Sequence, residues 1–192
     1  MCRMEYFEKE IPVSEYLEGY VEVEEFLEAC KACPNYGQVW SCPPYDFDVI
    51  SYWNQFSVLK VFARKIYLNG ISDEAEASAL MTSVKDDMGR ELYELEQEVP
   101  GSVSLSAGCC GLCRGLEEES SVDDLSISLG GSCCSRPTGE PCRHPEQLRY
   151  SIESIGGNVG LTCRKLMGIQ LEWMEEGKLP SYFVLCAGLL MK

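Results

Sequence analysis

Apolar positions recur along this chain with two different periods. From Val58 to Leu68 the residues are largely apolar and partly β-branched, and Asn69-Gly70 closes the run. This predicts a buried strand. From Ser72 to Glu98 the spacing is that of a long amphipathic helix, with Ser72 or Asp73 as cap, acids in the first turn and Pro100-Gly101 as the stop. Val103, Leu105 and Ala107 then alternate with serines, which predicts a second strand over Ser102–Ala107. Upstream, Tyr16, Leu17, Tyr20, Val21, Val23, Phe26 and Leu27 fit a short strand followed by a helix that delivers Cys30 at its end. Downstream, Pro145 is expected to open a helix to about Ser154, and Gly156-Gly157 to end it. A short helix over Val159–Met167, a strand over Ile169–Trp173, a turn at Glu175-Glu176-Gly177 and a buried strand over Tyr182–Leu190 complete the pattern. The expectation is one α/β domain over residues 1–192, with a small sheet of about four strands flanked by helices.

Composition adds chemistry to this outline. With 192 residues, 45% of them hydrophobic and 24% charged, the chain can form an ordinary core without covalent staples. Yet it holds 12 cysteines and a single histidine. Its first residues, MCRMEYFEKE, are acidic and lack the apolar stretch of a secretory signal. The longest apolar run, Tyr182 to Met191, is too short for a bilayer span. The reading is a cytosolic protein, without a membrane anchor, in which thiols serve metal or redox chemistry rather than disulfides.

The net charge of −15 argues against nucleic acid as a partner and suits docking on a basic redox partner protein. The acid is unevenly placed. Segments 26–45, 105–116 and 131–150, which hold most of the cysteines, are neutral or slightly basic, and the rest of the chain carries the whole acidic excess. Such placement favours anionic thiolates.

Cys30, Cys33 and Cys42 are spaced C-x2-C-x8-C in the loop KACPNYGQVWSCPPY. An x2 spacing lets two thiolates on one tight turn reach a single metal or cluster. Three thiols leave a fourth position either open to a small molecule or filled from elsewhere. Cys2, Cys163 and Cys186 are the thiols outside both cysteine-rich stretches. The second stretch holds Cys109, Cys110, Cys113, Cys133, Cys134 and Cys142. Cys110, Cys113, Cys134 and Cys142 form the natural four-thiolate set. Cys109 and Cys133 are spares, because adjacent side chains diverge. A helix starting at Pro145 would point its free amides at Cys142. His144, the single histidine, is a candidate ligand, but is expected instead at the helix entry or hydrogen-bonded to a sulfur, and Arg143 paired with a cluster or a carboxylate. Residues 117–132, acidic and serine-rich, read as a surface insertion.

These spacings favour one or two iron–sulfur clusters of the 4Fe-4S type, serving electron transfer or small-molecule binding. Zinc in a non-catalytic binding module is the alternative. Zinc ribbons pair two C-x2-C knuckles, whereas the second half-site here has seven residues between Cys134 and Cys142. No P-loop, dinucleotide fingerprint or Ser-His-Asp set is present, and whether the chain is an enzyme stays open.

CKACPNYGQVWSCPPY, AGCCGLC and PCRHPEQLRYSIESIGGNV together resemble a prokaryotic family of unknown function described as predicted metal-binding proteins. The resemblance implies metal binding and supplies no reaction. It also implies Cys134 rather than Cys133 as the residue that resumes the motif after an insertion.

Overall fold

The computed structural model of the chain describes residues 3–113, 134–174 and 178–192. Cys2, Cys133, the expected insertion at 117–132 and the expected turn at 175–177 lie outside the described residues. Four strands, β1 (Met4–Pro12), β2 (Val58–Tyr67), β3 (Val103–Leu105) and β4 (Tyr182–Met191), form one antiparallel sheet in the order β1-β2-β4-β3. The centre of the sheet is the pair β2–β4, running from Val58 opposite Met191 to Tyr67 opposite Tyr182. These two strands are the most apolar in the sequence. β4 is buried along most of its length and reads as a near-continuous apolar run, whereas burial alternates along most of β2, which carries Lys60, Arg64 and Lys65.

Helices cover both faces. Helices α1 (Val13–Tyr20), α3 (Val49–Trp53) and α5 (Val159–Met167) contribute Tyr16, Trp53, Val159 and Cys163 to the larger core, against Leu59, Val61 and Ala63 of β2. Helix α4 (Glu74–Glu98) lays Val84, Met88 and Leu92 on Ile66, Leu185 and Ala187 across the other face. Those three positions recur every four residues, the spacing of one helical face. Asp73 caps α4 by accepting from the amide of Ala75 at 2.8 Å, and Asn158 caps α5 through Leu161 at 2.8 Å. Among the described residues no helix is long and apolar enough to cross a membrane.

Three local expectations change. Residues 13–20 form a helix where a strand was expected, and a second helix, α2 (Val23–Lys31), follows after a short break. Tyr16 and Tyr20 lie four residues apart and stack, with ring centroids 5.2 Å apart, which is helical packing. The helix expected from Pro145 does not form. Residues 145–147 make a turn, and helical geometry returns only as a short 3-10 turn at Glu153–Ile155. Tertiary pairing wins there: the amide of Ser106 donates to the carbonyl of Tyr150 at 2.8 Å, and Ser106 bridges Ser151 in parallel. An extended segment beside β3 excludes a helix, so Cys142 gains no helix N-terminus. Finally, residues 169–173 are not a strand. The fourth strand of the sheet is β1, an edge strand whose mostly exposed residues give little apolar signal.

Candidate metal centre

The first cysteine loop is built from tight turns. Cys30 sits in the last turn of α2, and the amide of Cys33 donates to its carbonyl at 2.9 Å. The amide of Tyr36 then bonds the Cys33 carbonyl at 3.1 Å, and that of Cys42 bonds Val39 at 3.0 Å. Gly37, at φ 68°, closes the loop by donating to the carbonyl of Pro43 at 2.8 Å. A left-handed residue costs glycine nothing, and any other residue more than 1 kcal/mol or so. The Pro43-Pro44 bond is cis. Tyr45 leaves the loop with its hydroxyl on the carbonyl of Ser41 at 2.7 Å and its ring stacked on Phe47, so an aromatic wall backs the turns.

Burial pushes the Cys42 thiol up to about 12, and the nearby thiols of Cys109, Cys33 and Cys30 add to the rise against a hydrogen bond with Ser41. Cys109 therefore belongs to this neighbourhood. The side-chain amide of Asn35, buried inside the loop, donates to its sulfur at 3.5 Å. Lys85 of α4 donates to the Cys109 carbonyl at 2.6 Å and lies 3.9 Å from its sulfur. Cys109, expected to be a spare, thus has its sulfur against the first cysteine loop. The sequence held the signal for this in the CC pair itself, since diverging neighbours can serve two places.

Cys163 and Cys186, weighed as donors to the first group, are core residues. They are 0% and 3% exposed and hydrogen-bond each other. That bond and burial hold the Cys186 thiol well above its ordinary value. Every described cysteine is a thiol rather than half of a disulfide.

The second group gathers elsewhere. Cys110, Cys113, Cys134 and Cys142 wall one small cavity together with Val39, Trp40, Leu112, His144 and Leu148. Burial pushes the Cys110 thiol up to about 11, opposed by the amide of Leu112 and reinforced by Cys113, Cys142 and Cys134. His144 lines the same space, and its Nε2 is buried with no hydrogen-bond partner among the described residues. A buried polar atom without a partner is uncommon and costs free energy. An unmet ring nitrogen beside four thiols is what a sulfur-bound inorganic group in the cavity would satisfy. The donor set therefore fits a thiolate-held metal group. As the side chains stand, no group of three or more His, Cys, Asp or Glu residues is drawn together closely enough to hold a metal ion, among the described residues.

One residue the sequence left unassigned ties the two loops together. Arg136, in the 3-10 turn Arg136–Thr138, donates to the carbonyls of Val39, Cys42 and Pro44 and stacks over Trp40 at 5.2 Å. Trp40 in turn donates to Ser135 at 3.3 Å, and Ser135 to the carbonyl of Pro141 at 2.7 Å. Ser41, fully buried, accepts from the amide of Cys110 at 2.8 Å. A guanidinium is suited to this because its five donors lie in one rigid plane. Arg143 is exposed. A larger cavity, ≈ 450 Å³, opens on the α4 side of Cys109 and Cys110, with Lys85, Tyr93, Gln147 and Arg149 on its walls.

Fold and site together define a cysteine-rich α/β protein with its thiols collected at two neighbouring places. The family model described as "Predicted metal-binding protein (DUF2284)" matches residues 18–191, and the chain belongs to that family. No curated protein and no solved structure matches it.

Proposed function

We propose that this protein is an iron–sulfur protein of the 4Fe-4S type, with cluster sites at Cys30, Cys33 and Cys42 and at Cys110, Cys113, Cys134 and Cys142, serving electron transfer. The observation that carries the reading is that Cys110, Cys113, Cys134 and Cys142, from two separated stretches, wall one cavity together with Val39 and Trp40 of the first cysteine loop. Thiolates are the usual ligands of such clusters, and their spacing in sequence is tolerant. An acidic surface fits docking on a basic partner protein in the cytoplasm.

Zinc is the second reading. The space among the second four thiols is small, ≈ 20 Å³, and His144 on its wall is a common zinc ligand type. Anaerobic purification with iron, acid-labile sulfide and zinc analysis separates the two. Brown protein with matching iron and sulfide is expected. Colourless protein holding stoichiometric zinc replaces the iron–sulfur reading with the zinc one.

A further inference from the structure

We infer that the Cys109-Cys110 dipeptide is shared between the two centres: Cys109 supplies the fourth thiolate of the Cys30, Cys33 and Cys42 site, and Cys110 belongs to the other. The inference rests on the iron–sulfur reading for its magnetic consequence, and on the packing alone for its ligand assignment.

The packing is specific. The sulfur of Cys109 accepts from Asn35 inside the first cysteine loop at 3.5 Å, and Cys109 is not on the wall of the second cavity. Cys110 shares the wall of that cavity with Cys113, Cys134 and Cys142. Each member of the dipeptide thus answers to a different set. The backbone explains how. Gly108, at φ 76°, turns the chain away from β3, and Ser106 braces that turn by donating to the Gly108 carbonyl at 2.8 Å. Beyond it the Cys109 carbonyl is held by Lys85 and the Cys110 amide by Ser41. These two bonds flank the dipeptide with α4 on one side and the first cysteine loop on the other. The two side chains lie against different surroundings, Cys109 at Asn35 and Cys110 in the second cavity, so one peptide can feed two sites.

Two consequences follow. The first site has four sulfur ligands, so no metal position in it is left open for a substrate, which favours electron carriage over Lewis-acid chemistry there. The two centres are also joined through a single peptide unit, whose Cα atoms are about 3.8 Å apart. Unpaired spins on two reduced centres bound through adjacent residues interact.

The test uses the intact chain, purified anaerobically, with far-UV circular dichroism to check folding. Cys109→Ala is expected to lose half of the bound iron and sulfide, or to convert one centre to a three-iron form visible in the oxidised EPR spectrum, while the second centre stays. In the fully reduced wild-type protein, EPR is expected to show a broadened, interacting spectrum. It should collapse to a simple one in Cys109→Ala and in Cys110→Ala. The inference is overturned if Cys109→Ala keeps both centres unchanged. It is equally overturned if the reduced wild-type spectrum is the plain sum of two independent centres, a result that needs no variant to fold. Zinc-loaded, iron-free protein sinks the iron–sulfur reading instead. The ligand assignment then stands on whether Cys109→Ala halves the zinc.

Discussion

Arg136 donates to the carbonyl of Val39 at 2.7 Å across 97 positions of sequence. The same guanidinium reaches the carbonyls of Cys42 and Pro44. It therefore fixes the exit of the first cysteine loop from within the second. Hydrogen bonds from a charged donor contribute about 1.5–3 kcal/mol each when buried, and leaving carbonyls unmet costs more than the mean suggests. Arg136→Ala is expected to lower stability by about 2 kcal/mol and to reduce the metal content of both centres. Arg136→Lys should recover only part, because an ammonium lacks the planar fork. Chemical denaturation and metal analysis of the three proteins decide it. Wild-type metal content in Arg136→Ala would remove the lock from the account.

Glu96 and Arg149 form a second clasp, between α4 and the segment beside β3. Arg149 donates through both Nε and Nη2 to the carboxylate, at 2.7 and 2.5 Å, and Ser104 donates to it through amide and hydroxyl at 2.7 Å. Burial alone would raise this carboxyl, but Arg149 and Ser104 outweigh it and hold Glu96 below its ordinary 4.5. A carboxyl lowered by folding adds stability above its unfolded value and loses it as the pH falls through its folded value. Glu96→Gln should therefore be less stable than wild type at pH 7, with the gap narrowing as the pH drops below 4.5. Thermal unfolding across that range measures it, and a gap independent of pH would contradict the assignment.

Much of this architecture was readable before the fold was seen, and the reasons differ by element. β4 is a near-continuous apolar run and β2 places Leu59, Val61 and Ala63 at alternate positions, so burial and sequence carry the same signal. α4 announces itself by Asp73 at its start and Pro100-Gly101 beyond its end. β1 does not, because only Ile11 of its nine residues is fully buried and its partner supplies the pairing. Pro145 is a good helix starter in isolation, yet the pairing of Ser106 with Tyr150 and Ser151 overrides it. The four thiols that line the second cavity are those the spacing groups, whereas the surroundings of Cys109 are not legible from spacing. Sequence gives the divergence of adjacent side chains but not what lies on the far side, and here that is a loop 74 residues upstream, at Asn35.

The buried thiols supply an internal control. Cys163 and Cys186 bond each other inside the larger core, away from the walls of the second cavity. Cys186→Ala is expected to cost about 1 kcal/mol, for a lost weak hydrogen bond and a small void. It should leave metal content and spectra as in wild type. Loss of a centre in this variant, with folding intact, would mean that the core pair reaches a metal after all.

His144 separates a ligand from a supporting hydrogen bond. Its ring lines the space among Cys110, Cys113, Cys134 and Cys142, and its Nε2 has no partner among the described residues. On the proposed iron–sulfur reading four thiols complete the ligand set, so the ring is expected to act as an N–H donor toward sulfur. Such bonds stabilise the more negative, reduced state and raise the potential. Taking one hydrogen bond as about 1 kcal/mol, His144→Ala should lower the midpoint of one centre by about 40 mV for a one-electron couple, with iron content unchanged. His144→Gln, which keeps an N–H, should lie between the two. Redox titration followed by EPR reads the shift. If His144→Ala instead loses the second centre's metal outright, the imidazole is a ligand and the four-thiol set is incomplete.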